Sequence, residues 1–379
     1  MYLFSCDTIV DMGKITFGRI IAWLTAMLFI AVSIVGFTKG QSFPTHAITI
    51  TGVVGSEKKP FFEDPEVQAV FKKHGYEIKV DTSGSWEMSD KDGLESYDFA
   101  FPSSDISAQH LIDAHKNAVK GNAKPFYSPL AIGSFTNIMN ILEKNGIAKQ
   151  QYGQWHVDMN AYLQAAKAGK RWNELTGNTD YNSNRSMLIT STDVRSSNSA
   201  GMYLGLMSYV NNGNNPPEIS QSRSMINDLS GLFLNQGYSQ ESSAGPWESY
   251  LDKGPGLSPM VMIYEAQYLE TMIQTPDRMK NTMTLAYPEP GLMADHVIVA
   301  FSDNGLKIMD LLQNDKELAC LIAKHGFRVN GANANAFNET MKSHGLNVPD
   351  SGAFTDMAAM PSYETMQSMI NEISKEYQK

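Results

Sequence analysis

The sequence predicts an α/β protein of two lobes, preceded by an apolar helix at its amino-terminal end. Strand-like runs alternate with helix-like runs from residue 47 onward, which is typical of a sheet with parallel strands and right-handed crossovers. The 379 residues are enough for two domains, because a single domain usually holds about 100 to 200 residues. An uncharged apolar stretch occupies residues 20–38, before the alternating pattern begins.

Composition narrows the class of protein. Hydrophobic residues make up 42% of the chain and charged residues 18%, as in an ordinary globular protein rather than a disordered or multi-span membrane protein. The formal net charge is -10, and Lys and Arg form no cluster along the sequence. The sequence therefore argues against a nucleic-acid partner, because nucleic-acid phosphates are bound by clustered basic residues.

The apolar stretch predicts a signal or anchor helix within residues 15–38. Lys14 and Arg19 precede an uncharged run, IIAWLTAMLFIAVSIVGFT, at residues 20–38. At about 1.5 Å per residue this run can span roughly 30 Å of hydrocarbon. Residues 31–33 (AVS) resemble a signal-peptidase site, but the apolar run continues past them, which favours an uncleaved anchor. We therefore expect an extracytoplasmic location, with the chain attached to the membrane through this helix.

The first part of the exported chain predicts the order β-α-β-α-β. Asp64 and Pro65 are typical of the N-cap and first position of a helix, and Gly75 is typical of its end. A second helix is expected over residues 110–119. Three runs predict the strands: AITITGVVGS (47–56), YEIKV (76–80) and YDFAFPSSD (97–105).

Small hydroxyl residues follow each of these three strands. They are Ser56 after the first strand, Ser83 and Ser85 after the second, and Ser103 and Ser104 after the third. The carboxyl ends of parallel strands meet at one edge of a sheet, where the ligands of open α/β folds bind. Each serine alone could equally be an N-cap or a turn residue. The pattern keeps both a ligand site and a set of turns open.

The middle of the chain predicts more helix and a second cluster of polar residues. Helices are expected over residues 137–147 and 159–175, and a strand over residues 186–192. The strand leads to residues 195–199 (RSSNS), where the apolar helix AGMYLGLMSYV (200–210) begins. Unpaired amides of the first helical turn, hydroxyls and the guanidinium could converge there on an anionic group. The alternative is an ordinary capped helix beside a surface arginine.

These segments, in this order and spacing, resemble the type II periplasmic (extracytoplasmic) solute-binding proteins, the family of the molybdate, sulfate and phosphate receptors of ABC importers. VVGSEKKPF, TSGSWE and FAFPSSD are similar to three ligand loops, and STDVRSSNSAG to the serine-rich helix start of the second lobe. Three later segments are also similar to parts of the family: SPMVMIYEAQYLE (258–270), which closes the second lobe's side of the cleft, LAYPEPGLMADHVIVAF (285–301), the return crossover, and LIAKHGFRVNG (321–331), a helix ending in a Gly-Phe-Arg turn.

The resemblance implies a type II fold of two lobes with a ligand cleft between them. Crossovers near residues 129–135 and 292–299 would join the lobes and act as hinges. The implied parts are residues 1–40 as a cytoplasmic stub and signal or anchor helix, residues 47–130 with 295–379 as lobe one, and residues 131–294 as lobe two.

The resemblance also implies a function, namely capture of a small anionic or amphoteric solute for an ABC-type importer, with an ABC permease as partner. Glu57 and Glu265 depart from a simple oxyanion receptor, because a carboxylate repels an oxyanion unless it is protonated or paired with a cationic part of the ligand. The polar segment 211–254 is longer than the corresponding connection in the family. The implied ligand-binding residues are Ser56, Glu57, Ser83, Ser85, Ser103, Ser104, Arg195, Ser197, Asn198, Ser199, Tyr264 and Glu265.

An enzyme is the competing class, and the sequence favours a binding protein over it. The sequence contains no Walker loop, no G-x-S-x-G elbow and no G-x-G-x-x-G fingerprint. His110 and His115 do not share a helix face, so we predict no metal site and no cofactor. Tyr264 and Tyr268 could bind iron, but their spacing is also simple helix periodicity. A second alternative is a membrane-tethered sensor or envelope assembly subunit that uses the same fold without transport.

Overall fold

The structure is a computed structural model, and it describes residues 47–236 and 239–377. The expected signal or anchor helix at residues 15–38 lies outside the described residues. None of the described helices combines the length and the apolar character needed to cross a membrane.

Strands and helices alternate through the described residues. The strands are β1 (Ile48–Val54), β2 (Tyr76–Thr82), β3 (Phe99–Phe101), β4 (Gly121–Phe135), β5 (Ala148–Gln151), β6 (Gln154–Asp158), β7 (Met260–Tyr264), β8 (Met283–Glu289), β9 (Met293–Ala300) and β10 (Arg328–Val329). The α-helices are α1 (Lys59–Glu63), α2 (Pro65–Lys73), α3 (Asp105–Ala114), α4 (Thr136–Lys144), α5 (Met159–Lys167), α6 (Asn198–Asn211), α7 (Ser222–Leu234), α8 (Ala244–Lys253), α9 (Glu265–Gln274), α10 (Asp303–Asn314), α11 (Lys316–Lys324), α12 (Asn335–Ser343) and α13 (Tyr363–Glu376).

The strands form two sheets that share the long strand β4. In the first sheet, β1 lies between β2 and β3 and is parallel to both. β9 lies antiparallel between β3 and β4, and β10 also pairs with β4. In the second sheet, β4 is antiparallel to β7 and β8, β6 is parallel to β8, and β5 is antiparallel to β6. Both sheets are mixed, and the parallel pairing expected of the first three strands is confirmed.

β4 passes from one sheet to the other within its own length. Pro129 still pairs with Met293 of β9, whereas Leu130 already pairs with Tyr264 of β7. This change of sheet occurs at the start of the crossover expected at residues 129–135. We call the first sheet with its packed helices lobe one, and the second sheet with its packed helices lobe two.

The last helix lies against both lobes. α13 packs along α7 of lobe two and also contacts α6 and α3, of which α3 belongs to lobe one. Tyr363 at its start stacks on His110 of α3, with ring centroids 3.7 Å apart. The sequence scheme places residues 295–379 in lobe one, whereas the contacts of this helix are with both lobes.

The local signals for α2 are confirmed, and those for α3 only in part. The Asp64 side chain caps α2 by accepting a hydrogen bond from the amide of Glu66 at 2.6 Å, and Pro65 is the first helical residue. Gly75 follows the helix with a positive φ of 85°, a conformation that glycine adopts without strain. The helix expected over residues 110–119 ends earlier, because α3 stops at Ala114.

The strand expected over residues 186–192 is wrong. Only isolated bridges form there. The amide of Ile189 donates to the Tyr162 hydroxyl at 3.0 Å, and the amide of Ser191 donates to the Gln236 side chain at 2.6 Å. Thr190 alone bridges to Val261 of β7, and side chains satisfy the amides on either side of it, so the segment does not extend into a full strand.

The core of lobe one is rich in phenylalanine close to the carboxyl end of β3. Phe62, Phe99, Phe101 and Phe126 are all buried, and their rings pack at tilted or edge-on angles with centroids 5.1 to 6.3 Å apart. Aromatic pairs in this geometry stabilise a core beyond the area they bury. The packing holds the end of β3 in place, and with it the loop that carries Ser103.

Candidate ligand-binding cleft

A cleft opens where the two lobes face each other. β1, β2 and β3 end at one edge of the first sheet, and α6 and α8 begin opposite them in lobe two. A cavity of about 570 Å³ lies between these ends, which is within the usual range of small-molecule sites. Its walls contain an unusual number of serines, namely Ser56, Ser83, Ser85, Ser103, Ser196, Ser197, Ser199, Ser242 and Ser243.

Most of the residues predicted to bind a ligand line this cleft. Ser104 and Glu265 are the exceptions, because neither contributes to the walls of the cavity. The strand ends of lobe one and the polar helix start of lobe two, far apart in the sequence, are thus brought together. The predicted residues that line the cleft are Ser56, Glu57, Ser83, Ser85, Ser103, Arg195, Ser197, Asn198, Ser199 and Tyr264.

Four buried polar side chains lie at the floor of the cleft, and we call them the floor cluster. Glu57 and Ser103 line the cavity, and Lys58 and His296 lie behind them, fully buried. Lys58 Nζ lies 2.5 Å from Glu57 Oε1, 2.7 Å from Ser103 Oγ and 3.0 Å from His296 Nδ1. The Ser103 hydroxyl also donates to Glu57 at 2.5 Å. Burial lowers the pKa of Lys58 and, together with the Lys58 charge, lowers the pKa of His296 well below its ordinary value. Glu57 and Lys58 form a buried ion pair beside a histidine whose charged form is disfavoured.

Arg195 is bound to an acidic neighbour that sequence reasoning missed. Its Nε lies 2.9 Å from Asp193 Oδ1, its Nη2 contacts Asp193 Oδ2, and its guanidinium lies 4.7 Å from the centroid of the Tyr377 ring. Burial alone would raise the pKa of Asp193, but the hydrogen bonds from Arg195 outweigh it and lower that pKa. The guanidinium that the sequence offered to an anionic group is thus paired with Asp193, and the pair as a whole brings no net charge to the cleft.

Three hydroxyls form a buried triangle at the start of α6. The Oγ of Ser197 lies 2.7 Å from Thr192 Oγ1 and 3.1 Å from Ser199 Oγ, and Thr192 and Ser199 are 3.0 Å apart. Ser197 occupies the N-cap position, yet its side chain makes no capping hydrogen bond. The alternative of a simple serine cap therefore does not describe Ser197. Thr192 was missed because the sequence placed it in a strand.

Asn198 connects the lobes directly. Its side-chain amide donates to the carbonyl oxygen of Ser103 and to the Tyr264 hydroxyl, both at 3.0 Å. Its carbonyl oxygen accepts a hydrogen bond from the Ser104 hydroxyl at 2.8 Å. Both amide hydrogens are used, so the protein itself satisfies the donors of this side chain.

Tyr264 presents a hydroxyl that stays protonated. Burial raises the pKa of Tyr264 well above its ordinary value, and the charge of Glu57 adds to that effect. The oxygen accepts the hydrogen bond from Asn198, which leaves the hydroxyl hydrogen free to donate. Because Tyr264 lines the cavity, this hydrogen can be offered to a bound molecule.

Glu265 points away from the cleft, so the expectation that it faces a ligand is wrong. It is fully buried, and it accepts hydrogen bonds from Arg328 Nε at 2.6 Å and Nη2 at 2.9 Å. The Tyr287 hydroxyl donates to it at 2.6 Å. Arg328 belongs to the Gly-Phe-Arg turn, and its charge draws the carboxylate to that side of α9.

Two further carboxylates line the cleft, from opposite lobes. Glu87 follows β2 in lobe one, and Glu241 precedes α8 in lobe two. Burial raises the pKa of Glu87, the charges of Glu241 and Asp193 raise it further, and the charge of Arg195 opposes them in part. Glu241 comes from the polar segment 211–254, which thus contributes α7, α8 and part of the cleft wall.

Metal ligands do not gather in the described part of the chain. Within residues 47–236 and 239–377, no group of three or more His, Cys, Asp or Glu side chains has the geometry to hold a metal ion.

Comparisons with known proteins find the fold in solved structures. No family model matches the chain, and no curated protein matches it. The apo ferric ion-binding protein A of Pasteurella haemolytica matches with a TM-score of 0.53 and 9% identity, over 88% of this chain and 98% of that one. The periplasmic binding protein AfuA from Actinobacillus pleuropneumoniae, with fructose-6-phosphate bound, gives a TM-score of 0.53 and 12% identity over the same shares of the two chains.

A periplasmic thiamin-binding protein also matches, with a TM-score of 0.50 and 12% identity over 88% of this chain and 97% of that one. The chain has the type II periplasmic-binding-protein fold. The resemblance to type II solute-binding proteins that the sequence indicated is thus shown for the fold. At such low identities the type II fold does not name a solute, so the chemistry must come from the cleft itself.

The cleft of this type II fold offers donors and acceptors on different walls. Donors are the amides of the first turn of α6, which have no intrahelical partner, and the hydroxyls of Tyr264 and Ser85. The Ser85 oxygen already accepts from the amide of Ser103 at 3.0 Å, so its own hydrogen remains available. The acceptors that form no ion pair among the described residues are the carboxylates of Glu87 and Glu241.

Proposed function

We propose that this chain is an extracytoplasmic solute-binding protein that captures a small amphoteric solute between its lobes for an ABC-type importer. The observation that carries the proposal is the cleft itself, in which three strand ends of lobe one face the start of α6 across about 570 Å³. In open α/β folds, ligands bind beyond the carboxyl ends of the strands and at helix amino-terminal ends. The solved proteins with the same fold are named as binding proteins, which supports binding rather than catalysis.

The balance of charge supports a cationic group on the solute. The Glu57–Lys58 pair and the Arg195–Asp193 pair are each neutral in sum. Among the described residues Glu87 and Glu241 form no ion pair, and the charge of Arg195, the basic residue of the cleft lining, lowers the pKa of Glu87 less than the charges of Glu241 and Asp193 raise it. A solute with a cationic group relieves the repulsion between these two carboxylates, whereas a simple oxyanion adds to it.

The donors of the cleft support an anionic or hydroxyl-bearing group at the other end of the solute. The amides at the start of α6 and the hydroxyls of Tyr264 and Ser85 all line the same cavity. A helix amino-terminal end favours negative charge because its amides are unpaired and its dipole is positive there. One molecule carrying both kinds of group satisfies both walls, and we therefore propose an amphoteric solute.

The location and the transport partner belong to the same proposal. The apolar residues 20–38 after Lys14 and Arg19 support export, with retention of the helix as a membrane anchor. Periplasmic proteins of the same fold support an extracytoplasmic site of action. We propose an ABC permease as the partner that receives the solute.

Calorimetric titration with three matched probes tests the amphoteric assignment. The probes are 2-aminoethyl phosphate, which carries an ammonium and a phosphate, inorganic phosphate alone and ethanolamine alone. We expect the first probe to bind at least about tenfold more tightly than either fragment, because it contacts both walls. Equal or tighter binding of inorganic phosphate would contradict the proposal and would point to an oxyanion receptor.

A further inference from the structure

Lobe one touches the backbone of lobe two at Gly84. A Cβ atom built on Gly84 would lie 2.1 Å from the carbonyl oxygen of Ser196, a distance that no real side chain could keep. The neighbouring atom is backbone, which cannot move aside as the end of a flexible side chain would. The absence of a side chain at Gly84 therefore allows the loop after β2 to reach the start of α6.

A second close approach lies one turn further along α6. A Cβ atom on Gly201 would lie 2.0 Å from Nε1 of Trp86. Glycine is unfavourable inside a helix, so its position under the Trp86 indole indicates that the space is needed. Trp86 is buried, with Gly201 on one side and the Tyr363 ring, 5.6 Å away between centroids, nearby.

Asn198 lies between these two contacts along α6 and joins the same surfaces by hydrogen bonds. Ser103 and Ser104 of lobe one supply two of its partners, and Tyr264 of lobe two supplies the third. Asn198 is 5% exposed, and both of its donor hydrogens are engaged within the protein. A solute in the cleft therefore finds no free side-chain hydrogen of Asn198 to bind.

We infer that Gly84, Trp86, Asn198 and Gly201 form an interlobe latch, in which Asn198 is a positioning residue that holds the lobes together rather than a ligand contact. This inference rests on the proposed function, since closing the lobes matters to a protein that traps a solute between them. The latch consists of protein–protein contacts alone. It therefore sets how strongly the lobes close independently of which solute they enclose.

The test measures the burial of Trp86 by fluorine NMR on the full chain labelled with 5-fluorotryptophan. The Trp86 resonance is assigned by its loss in Trp86→Phe. In Gly84→Ala and Gly201→Ala the added methyl group blocks the latch, and we expect the Trp86 resonance to become sensitive to solvent. The matched control is Gly256→Ala, because a Cβ atom at Gly256 would meet nothing within 4 Å, and there the resonance should stay as in the unaltered chain.

A second variant keeps the test decisive if a glycine variant fails to fold. Asn198→Ala removes three hydrogen bonds and adds no atoms, so we expect the exposed population of Trp86 to rise about tenfold. The other tryptophan resonances and the melting temperature report on folding and should stay nearly constant. A Trp86 resonance as protected in Asn198→Ala as in the unaltered chain would overturn the latch.

The outcome for the latch is separate from the outcome for the proposed function. Trp86 burial is measured without added solute, so it does not depend on what the cleft binds. If Trp86 becomes exposed in the latch variants as expected, but the chain does not bind 2-aminoethyl phosphate, the latch is supported and the amphoteric solute is contradicted. Solute binding combined with unchanged Trp86 protection in every variant would contradict the latch alone.

Discussion

The Arg195 side chain is bound to the carboxylate of Asp193, two residues earlier in the chain. Arg195 Nε lies 2.9 Å from Oδ1 and 3.1 Å from Oδ2, and the guanidinium also lies over the Tyr377 ring. The Arg195 side chain is 48% exposed, so water screens its charge. The residue that the sequence marks as an anion anchor is thus one half of a neutral pair on the cleft wall.

Replacement of Arg195 tests that finding. We expect Arg195→Ala to change the affinity for 2-aminoethyl phosphate by less than about fivefold, because a half-exposed ion pair contributes only about 1 kcal/mol or less. Calorimetric titration measures the change, and Arg195→Lys is the control that keeps the charge. A loss of about thirtyfold or more in Arg195→Ala would mean that the guanidinium binds the solute directly through charge-assisted hydrogen bonds.

Glu87→Gln should weaken binding while stabilising the fold. The pKa of Glu87 is raised in the fold, first by burial and then by Glu241 and Asp193, so the folded state disfavours its charge. A raised carboxyl pKa means that stability is lost as the pH rises from the ordinary value of 4.5 through the folded value. We expect Glu87→Gln to melt at a higher temperature than the unaltered chain near pH 7, with the difference vanishing below about pH 4.

The same variant should bind the amphoteric probe about tenfold more weakly near pH 7, because it removes one of two carboxylates that face the cationic group. Glu77→Gln is a suitable control, since Glu77 lies on β2 outside the cleft lining. Unchanged affinity in both Glu87→Gln and Glu241→Gln would show that these carboxylates do not face a cationic group.

His325 should make stability depend on pH. It lies at the end of α11, with Nδ1 2.6 Å from Glu270 Oε1 of lobe two and Nε2 2.9 Å from Asp64 Oδ2 of lobe one. Burial alone would lower the pKa of His325, but hydrogen bonds and charge from the two carboxylates outweigh it and raise that pKa above 6.5. The stabilisation is therefore complete below pH 6.5 and is lost as the pH rises through the folded value.

Melting curves of the unaltered chain and His325→Gln measure this dependence. We expect the unaltered chain to melt about 2 to 4 °C higher for each 1 kcal/mol that the charged histidine contributes, with the advantage largest on the acidic side. The advantage should shrink as the pH is raised. An advantage that is constant across the range would show that His325 acts only by packing.

Glu265 should be important for stability and not for the chemistry of binding. We expect Glu265→Ala to lower stability by about 3 to 5 kcal/mol, because it leaves the buried charge of Arg328 without its carboxylate partner. The double variant Glu265→Leu with Arg328→Met removes both charges and should lose less stability than Glu265→Ala. Urea unfolding measures both. If the Glu265→Ala variant is as stable as the unaltered chain but has lost affinity for the solute, Glu265 contacts the solute and this prediction is wrong.

The sequence indicates which residues line the cleft better than it indicates which residues they contact. Ser56, Ser83 and Ser103 could be located because strand ends and turn residues are local signals that the chain carries in order. Lys58 and His296 lie 238 positions apart in the sequence, and only the pairing of β9 with β3 and β4 brings them together. The local periodicity of the sequence does not indicate a contact between residues so far apart.

The polar segment 211–254 illustrates the same limit. Residues 211–254 are rich in Asn, Ser and Gly, which are typical of loops, yet the segment contains the whole of α7 and α8. Its apolar residues Leu229, Leu232 and Phe233 are buried, so tertiary packing rather than local propensity stabilises α7. Glu241 could therefore not be placed in the cleft from its sequence context.

Native mass spectrometry of the chain purified without unfolding tests the central claim most directly. The account predicts one retained solute per chain that carries both a cationic group and an anionic or hydroxyl group, identified after its release. Retention should decrease in Glu87→Gln combined with Glu241→Gln, and it should persist in Glu77→Gln. A retained simple oxyanion, held equally well by the double variant, would contradict the account.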